Sequence, residues 1–377
     1  MRDAQPGYRR ARQRSPGDPV RVLHLPCDLP YTRKLSSPVI HVINGTRLAD
    51  ESEVPLKVTF DWLCAREDLT FFDVLHIHFF EGTPAETLHR ALDKCRTCGR
   101  RIIVTVHETA PMFPRNRPSY QAGLETICTA AHRVITLTRG GASALLTLVP
   151  FVERRLVVIP HGFVLHPDAP AWGRAGSGGE RVEYALYGAF RPNRDTYTLL
   201  LNWYFGLLHH RARLNILSRA IAPPDLHEPA LHLPAIMEFL QRDRERIRVV
   251  MAPHPADEQV VDFLSRCDVL LMPYTWGSHS GQLELAFDLS LLPVISDVGF
   301  YAEQWQASRG HVPEPLWVNW SDGHVDRYGA RLLDALLTAQ DRIAAGGRPA
   351  TSEAYRRHRL REHEDLLRAH LQVYTDE

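Results

Sequence analysis

Hydrophobic and polar positions alternate along this chain in two registers. Short apolar runs at residues 20–25, 73–79, 101–107, 133–137 and 155–159 have the length and bounding turn residues of buried strands. Between them, residues 84–98, 119–131 and 140–149 carry apolar side chains at helical spacing. Strands alternating with helices of ten or more residues predict a parallel sheet covered on both faces. Residues 166–182 are rich in Pro, Gly and Ser and read as a linker. A second series starts at Tyr184: strands at 213–218, 247–252, 269–272 and 292–295, and helical stretches at 195–209, 234–246, 256–266 and 282–289. After the Gly346-Gly347-Arg348-Pro349 break, residues 351–374 form a long Arg-rich helical stretch. The expected organisation is a basic, disordered tail (1–18), a Rossmann-like α/β domain (19–165), a linker (166–182), a second such domain (183–348) and a C-terminal helix (349–377). Ligands of open α/β sheets collect at the carboxyl ends of the strands.

Composition narrows the class without choosing a chemistry. Of 377 residues, 44% are hydrophobic and 23% charged, which suits a globular protein with substantial cores. Lys and Arg number 44 and so do Asp and Glu, so no global charge draws the chain to nucleic acid. No apolar run reaches membrane-spanning length, and the first residues lack the apolar stretch of a leader, so a cytoplasmic location is expected. The six cysteines are expected to be reduced thiols. Cys95 and Cys98 form a lone CxxC that closes a helical stretch, without a second pair at zinc spacing. Walker A, GxGxxG and nucleophile-elbow patterns are absent.

Two segments of the second half carry candidate chemistry. Residues 268–303 read strand, loop, helix, strand, with a polar loop (Ser278, His279, Ser280, Gly281) ahead of the helix. Unpaired N–H groups and the positive end of a helix dipole suit a phosphate there. Glu284, one turn further on, has the chemistry to accept hydrogen bonds from a ribose diol. In YALYGAFRPNRD (184–195), Gly188 opens a turn that brings Arg191 and Arg194 together. Two guanidinium groups can fork onto pyrophosphate oxygens and stabilise a departing nucleoside diphosphate. In the first half, His107 and Glu108 project from the carboxyl end of a buried strand. His76 and His78 share one strand face upstream, where a core histidine satisfied by backbone is the plainer reading for His76.

These segments resemble the retaining, GT4-type glycosyltransferases of the GT-B fold. The turn at 188–195 resembles that family's Gly-x-x-Arg-Pro-x-Lys-Gly loop, with Arg194 in place of Lys and Asp195 in place of Gly. The 268–303 segment resembles its donor-binding E-x7-E segment, with Trp276 where the first Glu is usual and Glu284 as the second. His279, Ser280 and the backbone near Gly281 would replace that first Glu and shift the donor chemistry, with loss of activity as the alternative. Trp276 either stacks on the sugar or fills the domain edge. Residues 104–111 resemble the segment whose His lies by the donor sugar, and VVIPHGF resembles the inter-domain hinge. The first loop lacks the family's glycines; Arg33 and Lys34 there either supply charge or bind an anionic acceptor.

The resemblance implies two Rossmann-like domains facing a central cleft, with the terminal helix crossing back to the first domain. It implies a hexosyltransferase-like enzyme with a nucleoside-diphosphate sugar as donor and a small-molecule or saccharide acceptor; the atypical loops point to a specialised acceptor, in secondary-metabolite or surface-saccharide biosynthesis. His107, Arg191 and Arg194 would be catalytic. Gly188, Ser278, His279, Ser280, Gly281 and Glu284 would bind the donor, and Arg33, Lys34 and Glu108 the acceptor. With no Asp-x-Asp motif, no metal and no further cofactor is expected. A nucleic-acid partner and a membrane span are not expected either. An epimerase or phosphorylase on the same fold, and an inactive nucleotide-sugar-binding subunit, stay open.

Overall fold

The computed structural model describes residues 17–376 apart from 28, 49–50, 112, 114–115, 174–178, 222–225, 227, 320–324, 348 and 350. Most of the basic tail and the middle of the 166–182 linker thus lie outside the described residues. The chain forms two units: one runs to His161 and resumes at Arg361, and the other spans Gly162–Leu360.

In the first unit the elements are β1 (Val20–Leu25), α1 (Pro30–Arg33), β2 (Ile40–Val42), α2 (Phe60–Ala65), β3 (Val74–Ile77), α3 (Ala85–Thr97), β4 (Arg101–Val106), α4 (Arg117–Ala130), β5 (Arg133–Thr136), α5 (Arg139–Leu148) and β6 (Leu156–Val158). The end of the terminal helix (Glu353–Thr375) completes it. All six strands are parallel, in the order β2-β1-β3-β4-β5-β6. The period-two pattern sorts side chains onto two faces. Leu23, Leu75, Ile77 and Val104 pack on Leu88, Leu92, Leu124 and Ile127 of α3 and α4. Val20, Val22, Val74 and Ile103 face the other way, with Tyr31, Leu366 and Val373.

The second unit contains β7 (Val182–Tyr187), α6 (Thr196–Gly206), β8 (Ala212–Arg219), α7 (Leu233–Arg242), β9 (Ile247–Ala252), α8 (Asp257–Ser265), β10 (Val269–Met272), α9 (Gly281–Leu289), β11 (Leu292–Asp297), α10 (Tyr301–Ser308), β12 (Leu316–Asn319) and α11 (Val325–Ala344). Its parallel order, β12-β11-β10-β7-β8-β9, is the doubly wound one, and the direction of winding reverses between β7 and β10. In the first unit the corresponding switch lies between β1 and β3.

The expected doubly wound α/β class is therefore observed in both halves. Sequence periodicity finds the long central elements and passes over the edge strands β2 and β12, which are too short to show alternation. It also passes over α11, although Leu332, Leu336, Ala339 and Ile343 recur at helical spacing and are buried in the unit's core. None of the described helices is long and apolar enough to cross a membrane.

Candidate functional site

The loops that leave β7 and β10 flank the switch point of the second unit. Gly188, directly after β7, takes φ +73°, a conformation that L side chains rarely adopt. The glycine also leaves room for Arg191, whose Nε would lie 3.4 Å from a Cβ at position 188, with Gln282 Nε2 at 3.8 Å. Asp195 caps α6 by accepting from the Thr198 N–H at 2.9 Å. The two loops are bonded edge to edge: Asp195 N–H donates to Pro273 O (2.8 Å), Thr275 N–H to Asn193 O (2.9 Å) and Asn193 Nδ2 to Trp276 O (3.3 Å).

Arg194 is the bolt between these loops. It is 3% exposed and donates to Tyr187 O, to the Tyr274 hydroxyl at 2.8 Å and to Gln282 Oε1 at 2.9 Å. Its guanidinium lies 4.5 Å from the centre of the Tyr274 ring. Burial lowers its pKa below the usual arginine range. Its terminal nitrogens are engaged inside the protein, whereas Arg191 beside it is only half-buried. The two arginines that looked alike in sequence thus occupy different environments.

The N-terminus of α9 is held from α10. Gln304 Oε1 accepts from Ser280 N–H at 2.8 Å, while its Nε2 donates to Ser280 O (3.3 Å) and Glu284 Oε1 (3.0 Å). Tyr274 and Ser280 hydroxyls lie 3.2 Å apart. Gly277 is fixed by crowding, because a Cβ there would sit 1.9 Å from the Tyr301 hydroxyl. Ser278 is buried, and His279 and Trp276 are half-buried beside it. Glu284 is 5% exposed, and its second oxygen accepts from Arg359 at 2.7 Å. Arg359 also donates to Asp288 Oδ1 from Nε (3.1 Å) and from a terminal nitrogen (3.0 Å). Asp288 Oδ2 takes the N–H groups of Val164 (2.7 Å) and Leu165 (3.0 Å). Both carboxylate oxygens of Glu284 are therefore engaged within the unit.

In the first unit, His107 follows β4, 8% exposed, with its ring stacked on Phe79 (centroids 5.1 Å, planes 9° apart) and edge-on to Tyr31 at 5.3 Å. Its Nε2 is 3.2 Å from His78 Nδ1. Lys34 lies 5.1 Å from the Tyr31 ring centre and donates to His161 O. Tyr31 thereby gathers His107, Lys34 and His161. Arg33 is exposed on α1, and Glu108 is half-buried with its carbonyl accepting from Tyr120 at 2.6 Å.

Beneath His107 lies a chain of imidazoles. His78 Nε2 is 2.9 Å from His24 Nδ1, and His76 bonds the Tyr374 hydroxyl (2.7 Å) and Thr105 Oγ1 (2.8 Å). Burial without an anionic partner keeps these rings neutral: His24 falls to about 3, His370 to about 4, and His76 and His78 well below the ordinary value. Sequence reasoning did not single out Tyr31, Tyr274, Gln282, Gln304 or Arg359. Only Gln282, placed at the start of a predicted helix beside the polar loop, had a local signal.

A scan of protein-family models finds no match to this sequence, and neither does a search of curated proteins. Solved structures do match in fold. HepE from Anabaena, in complex with UDP and glucose, aligns with a TM-score of 0.60 at 10% identity over 93% of this chain and 99% of its own. A glycosyltransferase from Rickettsia africae aligns at 0.56 and 12% identity, covering 95% of this chain and 98% of the other. The α,α-trehalose 6-phosphate synthase of Burkholderia multivorans aligns at 0.52 and 16% identity, over 84% of this chain and 71% of its own. These neighbours are GT-B glycosyltransferases, and the chain shares their fold of two Rossmann-like units.

Proposed function

We propose that this protein is a retaining glycosyltransferase that moves a sugar from a nucleoside-diphosphate sugar to a small-molecule or saccharide acceptor. The observation that carries the reading is the paired-loop construction at the switch point of the second unit. There Arg191 folds over Gly188 next to the start of α9, where doubly wound sheets bind nucleotides. The GT-B likeness supports it, as does a neighbour described with UDP and glucose bound.

In this reading Arg191 supplies the charge for the diphosphate, together with the backbone around Gly281 at the α9 N-terminus. Arg194 acts on the site as a positioning residue that holds Tyr274 and Gln282 in place, while His107 serves the donor sugar. Arg33, Lys34 and Glu108 serve the acceptor. No metal is assigned to the donor, whose leaving diphosphate is neutralised by guanidinium and helix dipole and helps to deprotonate the acceptor. Hexosyl transfer and a cytoplasmic location belong to the same proposal.

A second reading, a nucleotide-sugar-binding subunit without turnover, is favoured by one observation: Trp276 stands where the first Glu of the donor-binding segment is usual. Thermal shift with UDP, GDP, dTDP and ADP, with and without EDTA, tests both readings. Stabilisation by one diphosphate, unaffected by EDTA and lost in Arg191→Ala, supports donor binding at this site. Transfer by the wild type that falls more than about a hundredfold in Arg191→Ala, about 2.7 kcal/mol of transition-state stabilisation, supports the enzyme over the subunit. Indifference to all four diphosphates at millimolar concentration sinks both.

A further inference from the structure

The histidine chain lies where a doubly wound sheet places ligands, yet nothing in the proposed glycosyl transfer uses its inner members. His24 and His76 are register partners on adjacent parallel strands, and His78 is two residues beyond His76 on the same face. All three stand at the carboxyl ends of β1 and β3, the switch point of the first unit. They are 0%, 0% and 4% exposed. A purely structural core has little reason to collect imidazoles here, because each buried ring nitrogen needs a partner.

We propose that His24, His76 and His78 form a buried binding site for a divalent transition-metal ion of the zinc type, separate from the donor chemistry. One ring nitrogen from each residue lies within 4.8 Å of the other two. Tetrahedral coordination at the usual zinc–nitrogen distance needs ligand atoms about 3.3 Å apart. The 2.9 Å between His24 Nδ1 and His78 Nε2 is just under that spacing, so ring rotations and small shifts suffice. Three imidazoles and no carboxylate select zinc, cobalt, nickel or copper over magnesium or calcium.

The surroundings fit as well. Metal-bound histidines are oriented by a hydrogen bond at the other ring nitrogen. His78 has His107 for that purpose at 3.2 Å, and His76 has Thr105 at 2.8 Å. The Tyr374 hydroxyl, 2.7 Å from His76 Nδ1, stands where a fourth ligand belongs. Three neutral rings leave the double charge of the ion uncompensated, and loss of the Tyr374 phenol proton to solvent offsets half of it. Uptake therefore forms one metal–oxygen and three metal–nitrogen bonds and releases one proton per ion.

The test uses the full chain, stripped with a chelator and titrated with ZnCl2 or CoCl2, with no nucleotide or sugar present. Its outcome is thereby separable from that of the glycosyltransferase reading. One equivalent of Zn2+ with release of one proton, and a Co2+ visible spectrum of the intense tetrahedral kind, are expected. The double variant His24→Gln/His78→Asn should bind more than about 100-fold more weakly, beyond the loss typical of outer-shell changes. His254→Ala, an exposed histidine elsewhere, should leave binding unchanged. No uptake by the wild type, or equal uptake by the double variant, overturns the proposal. Should the double variant fail to fold, X-ray absorption of the zinc-loaded wild type decides: three imidazoles support the site, and fewer overturn it.

Discussion

The two units solve the same problem, polar side chains buried at the carboxyl ends of a parallel sheet, by opposite means. The first buries neutral groups. All six histidines that are buried among the described residues, His24, His76, His78, His107, His161 and His370, belong to it. The second buries charges with partners: Arg359 is ion-paired with Glu284 and Asp288, and the Arg194 guanidinium lies against the Tyr274 ring. A neutral network avoids the desolvation cost of ions and is exposed to acid. A paired network withstands mild acid and fails when one partner is removed.

Acid should separate the two most widely. Each ring whose folded pKa is lowered contributes its full stability above the unfolded value of 6.5. That contribution is lost as pH falls below 6.5 towards the folded value, about 3 for His24 and about 4 for His370. The slope is about 1.4 kcal/mol per pH unit for each histidine. With His24, His76, His78 and His370 together, stability should fall by about 5 kcal/mol between about pH 7 and about pH 5.5. Urea melts at the two pH values measure the total, and amide exchange should locate the loss in the first unit. A urea midpoint that stays put across this interval would break the comparison at its root.

Removing one charge is the converse experiment. Arg359→Met strands two buried carboxylates and should cost about 3–5 kcal/mol at neutral pH. Adding Glu284→Gln and Asp288→Asn to that variant should restore part of the loss, because no unpaired charge then remains. If the single variant melts like the wild type, the pairing does not hold the second unit together.

A smaller effect concerns shape. Gly277→Ala forces a methyl group onto the Tyr301 hydroxyl, at a cost of about 1–3 kcal/mol. Tyr301→Phe in the same chain should relieve much of it, and a lack of relief would move the crowding elsewhere. The smallest expected difference lies at helix caps, where the units should behave alike. Thr138 caps α5 and Asp195 caps α6 through side-chain oxygens. Replacing either with Ala should cost about 1 kcal/mol in a urea melt, and a marked asymmetry would show that one cap also supports its site.

The chain's own pattern determined a good deal. Apolar runs and helical spacing placed the central strands and most of the helices, because a period of two or 3.6 is a local property. The turn chemistry at Gly188 was legible for the same reason, as was the loop ahead of α9. The roles of individual side chains were not. Arg191 and Arg194 are three residues apart in one motif. Only the packing of Tyr274 and Gln282, some 80 residues on, buries one and leaves the other half-buried. Glu284 meets Arg359 75 positions later, and His76 meets Tyr374 298 positions later. Periodicity states which face of an element is buried, but not what it is buried against. Charge state, hydrogen-bond partner and access to a ligand depend on that second fact, and only the tertiary structure decides it.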